Sequence, residues 1–144
     1  MSTDIIALIE LIFSAKVFLF KNETSFSNKG NEVCFTTIGD ASTSEGLFWE
    51  TVNAAGVMQV PMAIFIWDDG YGISVPRKFQ TSKNSISEIL KGFQFEEGLG
   101  GLDIYTVKGW DYAALCDTFK KGIQKIRDTH TPAVFHVQEI TQPQ

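Results

Sequence analysis

Two short acidic segments of the chain carry residue types that bind a divalent metal beside a phosphate. The first is Gly39-Asp40-Ala41-Ser42, and the second, Asp69-Gly70-Tyr71, begins 29 residues after Asp40. Mg2+ prefers oxygen ligands and commonly takes one or two carboxylates together with phosphate oxygens. We therefore predict that Asp40, Asp69 and the main-chain carbonyl of Tyr71 bind one Mg2+ ion.

The first segment also predicts an anion site. Ser42 and Glu45 have the Ser-x-x-Glu spacing of a capping box at a helix start. Backbone N–H groups at a helix N-terminus favour phosphates. Asp40 has the wrong charge for direct phosphate contact, and a metal between the two would resolve that conflict. Taken alone, each aspartate is also explained as a turn residue, but the two segments together favour metal binding.

Alternating strands and helices are predicted to bring the two segments together. Apolar runs predict strands at residues 33–38, 62–67, 104–107 and 133–137, and helical spacing predicts helices over 44–58, 85–95 and from Asp111 onward. This order predicts an α/β fold of three layers, a mostly parallel sheet flanked by helices. Such sheets bind ligands beyond the carboxyl ends of their strands, where both acidic segments fall.

Composition and charge exclude other classes of protein. The 144 residues carry a net charge of -5 without a Lys/Arg cluster, which argues against a nucleic-acid surface. Residues 5–20 are strongly apolar, but Glu10 and Lys16 interrupt them and they fall short of the roughly 20 residues of a membrane span. We expect residues 1–30 to form an apolar helix and loop covered by a partner, and residues 31–144 to form the cofactor-binding domain.

The remaining chemical groups are given structural interpretations. Cys34 and Cys116 lie in apolar stretches, which indicates buried free thiols and a reducing, cytoplasmic location. His136, between two apolar residues, is interpreted as a packed or interface residue. Asp68 is interpreted as solvated or as a neighbour of the metal ligands, and Arg77 as part of a polar stretch that flanks the site or forms a surface loop.

The two acidic segments resemble the signature of thiamine-diphosphate enzymes, a Gly-Asp-Gly turn followed about thirty residues later by Asn-Asn-x-Tyr. The surrounding residues are similar in particular to the α-type decarboxylating component of 2-oxo acid dehydrogenase complexes, which acts on pyruvate or on branched-chain 2-oxo acids. The likeness covers residues 31–144, including the 107–111 turn and the 132–139 strand. It implies thiamine diphosphate and Mg2+ as cofactors.

The resemblance implies a role for each matching position. It assigns Asp40 and Asp69 as metal carboxylates, the Tyr71 carbonyl as a further ligand, and the amides of Ala41 and Ser42 as diphosphate donors. The chain departs from the family at Ala41, usually glycine, and at Asp69, usually asparagine. The added charge of Asp69 is expected to sharpen the dependence on metal. The implied cofactor-binding set is Gly39, Asp40, Ala41, Ser42, Asp69 and Tyr71.

The resemblance also implies partners. The family decarboxylates a 2-oxo acid oxidatively and passes the acyl group to a lipoyl-bearing acyltransferase, and a β-type subunit or domain completes its site. Contacts that the family draws from before the first strand and after the last strand have no match here. We therefore expect a partial chain, inactive alone, within a homo- or hetero-oligomer, and we assign no catalytic residue.

Three questions about function stay open at this point. A branched-chain 2-oxo acid is favoured over pyruvate as the substrate. One alternative function is a transketolase-like thiamine-diphosphate activity. The other is a non-catalytic assembly module or degenerate remnant that keeps the fold and an interface.

Overall fold

The computed structural model describes residues 30–140, and a parallel sheet forms their centre. The elements in chain order are β1 (Cys34–Gly39), α1 (Gly46–Met58), β2 (Met62–Asp68), β3 (Tyr71–Gly72), β4 (Val75–Pro76), α2 (Ile86–Leu90), β5 (Asp103–Lys108), α3 (Tyr112–Thr129) and β6 (Ala133–Gln138). The order of strands in the sheet is β1-β2-β6-β5, all parallel. Strands β3 and β4 form a separate antiparallel hairpin.

The sheet is covered on both faces, which gives three layers. On one face, α1 and α2 pack on the alternate residues Ile64 and Ile66 of β2 and on Val134 of β6. On the other face, α3 packs on Ala63 and Phe135. Strands buried on both sides read as continuous apolar runs, as β2 and β6 do. The predicted α/β fold with a parallel sheet flanked by helices is therefore confirmed.

Two predicted element boundaries are wrong. The helix predicted over 85–95 is α-helical only at Ile86–Leu90 and continues as a 3-10 turn at Lys91–Phe93. It ends there because the main chain of Phe93 and Phe95 bonds to Leu102, just before β5. The helix predicted from residue 44 begins at Gly46. Cys116, expected to be buried, is exposed, and Cys34 is half-buried.

The predictions on partners and on the membrane concern the N-terminal stretch and the helices. Residues 1–29, which carry the apolar stretch predicted to meet a partner, lie outside the described residues. Within residues 30–140, no helix is long and apolar enough to cross a membrane.

Candidate functional site

The carboxyl ends of β1 and β2 lie side by side. Gly39, the last residue of β1, pairs with Trp67 of β2, and the Asp40 N–H donates to the Trp67 carbonyl at 3.1 Å. The two acidic segments therefore leave the sheet from adjacent strands at the same edge. This is the arrangement that the spacing of the sequence predicted.

The turn after β1 differs from the predicted capping box. Residues Ala41–Ser44 form a 3-10 turn, and Glu45, which precedes α1, makes no side-chain capping hydrogen bond. The hydroxyl that stabilises this turn belongs to Thr43, whose Oγ1 donates to the Asp40 carbonyl at 2.5 Å. The Glu45 N–H, which the Ser42 hydroxyl would accept in a capping box, donates to the Ser42 carbonyl at 3.2 Å, so that prediction was wrong.

Asp40 is a buried carboxyl group with one unsatisfied oxygen. Its side chain is 2% exposed, and Oδ2 has no hydrogen-bond partner. Burial, followed by the nearby charges of Asp68 and Asp69, raises the pKa of Asp40 to about 6, against an opposing hydrogen bond from the Ala41 amide. Buried polar atoms are nearly always paired, so an unpaired carboxylate oxygen at a strand end marks a position suited to a cation.

Two main-chain N–H groups, those of Tyr71 and Arg77, hold the turn after β2. Asp69 is exposed, and its Oδ1 accepts from the Tyr71 N–H at 2.9 Å. The Arg77 N–H donates to the Gly70 carbonyl at 2.8 Å, which makes Gly70 and Arg77 a hydrogen-bonded pair of the hairpin. Such pairs alternate with non-hydrogen-bonded ones in antiparallel strands. The next pair, Tyr71 with Pro76, therefore turns the Tyr71 carbonyl away from β4.

Asp68 is as buried as Asp40 but is fully partnered. Its Oδ2 accepts from His136 Nε2 at 2.8 Å and from Arg77 Nη1 at 2.5 Å, and its Oδ1 accepts from the Gly70 N–H at 2.9 Å. Burial raises the pKa of Asp68, but the hydrogen bond from His136 and the charge of Arg77 outweigh it, so the pKa is lowered. Asp68 is therefore an ionised part of the framework; of its two interpretations, the solvated residue is wrong and the neighbour of the metal ligands stays a prediction.

The methyl group of Ala41, which takes the place of the family's glycine, is accommodated by the hairpin. A Cβ placed on Gly72 would lie 2.8 Å from the Ala41 Cβ, so the Ala41 methyl faces Gly72. The φ of Ala41 is negative, so the position does not demand glycine. Ser44 adds a further link, because its Oγ donates to the Gln80 carbonyl at 3.1 Å. The two strand ends therefore pack against each other.

The donor set suits a hard divalent cation. Within residues 30–140, no three His, Cys, Asp or Glu side chains group as a metal cage. A metal at the paired strand ends would therefore draw its remaining ligands from main-chain oxygens or from a bound anion. Carboxylate, carbonyl and phosphate oxygens are the ligands typical of Mg2+.

Comparison with known proteins identifies the family. A model of the dehydrogenase E1 component matches residues 5–138. The chain belongs to this family. It is 30% identical over 115 residues to the alpha subunit of acetoin:2,6-dichlorophenolindophenol oxidoreductase from Cupriavidus necator, covering 80% of this chain and 32% of that protein.

Other curated relatives are alpha subunits of pyruvate dehydrogenase E1 components. The one from Rickettsia bellii is 23% identical over 111 residues, covering 77% of this chain and 32% of that protein. The one from Staphylococcus epidermidis is 34% identical over 80 residues, covering 52% of this chain and 21% of that protein. The chain thus spans about a third or less of the length of these relatives.

In this E1-family chain, the packed position of His136 is as predicted, but sequence reasoning missed the hydrogen-bonded network that joins Asp68, Arg77 and His136. A signal for two of them was available in the alternation of the strands. Asp68 continues the buried row of Ile64 and Ile66, and His136 follows Val134 on the same face of the adjacent strand. Period-2 alternation therefore places both polar side chains inward on one face. Nothing in the sequence indicated that Arg77 would reach Asp68.

Proposed function

We propose that this segment holds the diphosphate of thiamine diphosphate through Mg2+, within the E1 component of a 2-oxo acid dehydrogenase. The observation that carries the proposal is the buried, unpartnered Oδ2 of Asp40 beside the second acidic turn. An anionic site that must accept a diphosphate needs a cation between the two. The hairpin register, which turns the Tyr71 carbonyl away from β4, supports the same ligand set.

Each predicted residue has a place in this proposal. The carboxylates of Asp40 and Asp69 and the carbonyl of Tyr71 would hold the metal. The main chain of Gly39, Ala41 and Ser42 would line the diphosphate. Thiamine diphosphate, when bound, supplies the carbon nucleophile and electron sink for decarboxylation. The residues of this segment bind and orient; we assign none of them as catalytic acid or base.

The substrate and the partners are also part of the proposal. We propose a 2-oxo acid as substrate, a β-type subunit or domain that completes the site, and a lipoyl-bearing acyltransferase as acyl acceptor, in a homo- or hetero-oligomer. The sequence favoured a branched-chain substrate, whereas the relatives' names refer to pyruvate and acetoin. Lipoyl-domain acylation with the partner chain added, compared across these substrates, would decide among them and exclude a transketolase-like activity.

Thermal melting of the chain tests the cofactor assignment directly. At 100 times its dissociation constant, a ligand that binds only the folded state adds about 2.7 kcal/mol of stability. We expect Mg2+ and thiamine diphosphate together to raise the melting temperature, and either one alone to do so much less.

A charge-matched control separates binding at the site from general salt effects. Asp117 is exposed on α3, so Asp117→Asn removes one negative charge away from the site. This variant should keep the full thermal shift. A wild-type chain that does not respond to the pair of ligands would favour the non-catalytic assembly module or remnant.

A further inference from the structure

A buried polar network lies directly behind the second acidic turn. It comprises Asp68, Arg77 and His136, with Ser87 of α2 at its far end. His136 is fully buried; its Nε2 contacts Asp68 and its Nδ1 lies 3.2 Å from Ser87 Oγ. With a neutral ring, Nε2–H donates to Asp68 and Nδ1 accepts from Ser87. The network thereby connects α2 and β6 to the end of β2.

Arg77 is bonded to the turn from two directions. Its side chain pairs with Asp68, and its main-chain N–H donates to the Gly70 carbonyl. Asp68 in turn accepts from the Gly70 N–H. Both polar groups of the Gly70 main chain are therefore held, one by Asp68 and one by Arg77. The residue that follows is Tyr71, whose carbonyl orientation depends on this hydrogen-bond alternation.

Arg77 lies at the edge of the buried network and is partly exposed to solvent. Its side chain is 31% exposed and lines a cleft of about 280 Å³ together with Lys108 and Glu139. The ion pair therefore joins a buried acid directly behind Asp69 to a cation at the edge of this cleft. Residues behind metal ligands fix the orientation of those ligands, and their loss typically weakens metal binding 10–100-fold.

We propose that Arg77 and His136 are positioning residues that act through Asp68 to hold Asp69 and the Tyr71 carbonyl in place for the metal. The proposal rests on the proposed function for its ligand, and on the observed hydrogen bonds for its mechanism. In this proposal Asp68, Arg77 and His136 affect metal binding although none of them is a metal ligand. A purely structural role would instead affect only the stability of the chain.

The test compares Arg77→Met, Arg77→Lys and Lys125→Met in the full chain. Lys125 pairs with Asp103, another ion pair between a partly exposed cation and a more buried acid, on α3 and β5, outside the network. The first readout is the exchange rate of the Gly70 amide hydrogen, which needs no cofactor. The second is the Mg2+ dissociation constant at saturating thiamine diphosphate, followed by tryptophan fluorescence, since Trp67 lies at the end of β2.

We expect Arg77→Met to speed exchange of the Gly70 amide and to raise the Mg2+ dissociation constant about tenfold or more. Arg77→Lys should recover part of both effects, because it restores the charge without the planar fork. Lys125→Met should leave both readouts unchanged within about twofold. This pattern would support the positioning role.

Two outcomes would overturn the proposal, and they are distinguishable. If Arg77→Met alters neither Gly70 exchange nor Mg2+ affinity relative to Lys125→Met, the positioning role is wrong while the proposed function stands. If wild-type chain shows no Mg2+ response, the proposed function fails and this inference fails with it, whatever the exchange data show. His136→Leu, which removes the donor to Asp68, provides the independent second variant and should act in the same direction as Arg77→Met.

Discussion

Asp40 and Asp68 are the same residue type at the ends of adjacent strands, and each is 2% exposed. Asp68 has three hydrogen-bond donors from separate parts of the chain, whereas Asp40 keeps an oxygen with no partner. The pKa of Asp68 is lowered, and that of Asp40 is raised to about 6. Equal burial therefore has opposite consequences, because the partners decide which protonation state is favoured.

The difference separates framework from binding site. A carboxylate whose donors are all supplied by the fold has nothing left to offer a ligand. A carboxylate that the fold buries without satisfying destabilises the folded chain when ionised and is relieved by a cation. The end of β2 thus contains an acid, Asp68, whose oxygens are paired within the fold. The end of β1 contains an acid, Asp40, that a bound cation would pair.

The substitution Asp40→Asn tests the unpaired end of this comparison and should have the largest effect. It should weaken Mg2+ binding on the order of 100-fold or more, since it removes a direct ligand. Without ligands it should stabilise the chain at pH 7 by up to about 3 kcal/mol, because ionising a group with a pKa near 6 rather than 3.8 costs that much. Calorimetry and urea unfolding measure the two changes.

The pH dependence of folding stability tests the predicted direction of the Asp40 effect. A raised pKa means that the folded chain binds the proton more tightly, so wild-type stability should rise as the pH falls from about 7 to about 4 through Asp40. Asp40→Asn should flatten that rise, and Asp117→Asn should keep it. A destabilised Asp40→Asn chain at pH 7 would show that the carboxylate has a structural partner after all.

The sequence was sufficient for the sheet and for the pairing of the two strand ends. Continuous apolar runs, short connections and right-handed crossovers leave few arrangements for four parallel strands. Residues 62–68 and 133–138 are examples in which composition alone indicates burial on both faces. Parallel strands all end at the same edge of a sheet. The Asp40 segment, which follows β1, and the Asp69 segment, which follows β2, could therefore be placed together.

The hydrogen-bond partners could not be read in the same way. Alternation places Asp68 inward and its neighbour Asp69 outward, but only the register of β2 against β6 brings Asp68 within reach of His136. Arg77 is nine residues from Asp68, and its reach depends on a hairpin of two short strands. The Ser42 to Glu45 capping box failed for a local reason, because the Glu45 N–H donates to the main-chain carbonyl of Ser42 and not to its hydroxyl.

The substitution Asp68→Asn tests the paired end and should act in the opposite direction to Asp40→Asn. It leaves the guanidinium of Arg77 without its counter-charge and turns an amide toward donors, so we expect a loss of about 2 kcal/mol in urea unfolding at pH 7. The lowered pKa of Asp68 also predicts a pH dependence. The stability that this carboxylate contributes should be present above the ordinary pKa of an aspartate and should be lost as the pH falls below about 4.

The ion pair of Lys125 with Asp103 serves as the control for the Asp68 experiment. Asp103→Asn removes an acid from a more exposed pair and should cost no more than about 1 kcal/mol. If Asp68→Asn and Asp103→Asn cost the same, the contrast between a paired framework acid and an ordinary ion pair does not hold.

The substitution Asp69→Asn compares the two adjacent acids at the end of β2, since Asp69 is exposed and Asp68 is buried. The side-chain oxygen of asparagine can still accept from the Tyr71 N–H, so we expect a stability change below about 0.5 kcal/mol. The loss of one charge should weaken Mg2+ binding up to about tenfold and improve cofactor binding without metal, because like charges near a phosphate repel. Cofactor titration with and without Mg2+ measures both. If neither the wild type nor Asp69→Asn responds to metal, the metal assignment of the whole site is wrong. If the two respond equally, Asp69 is not a ligand.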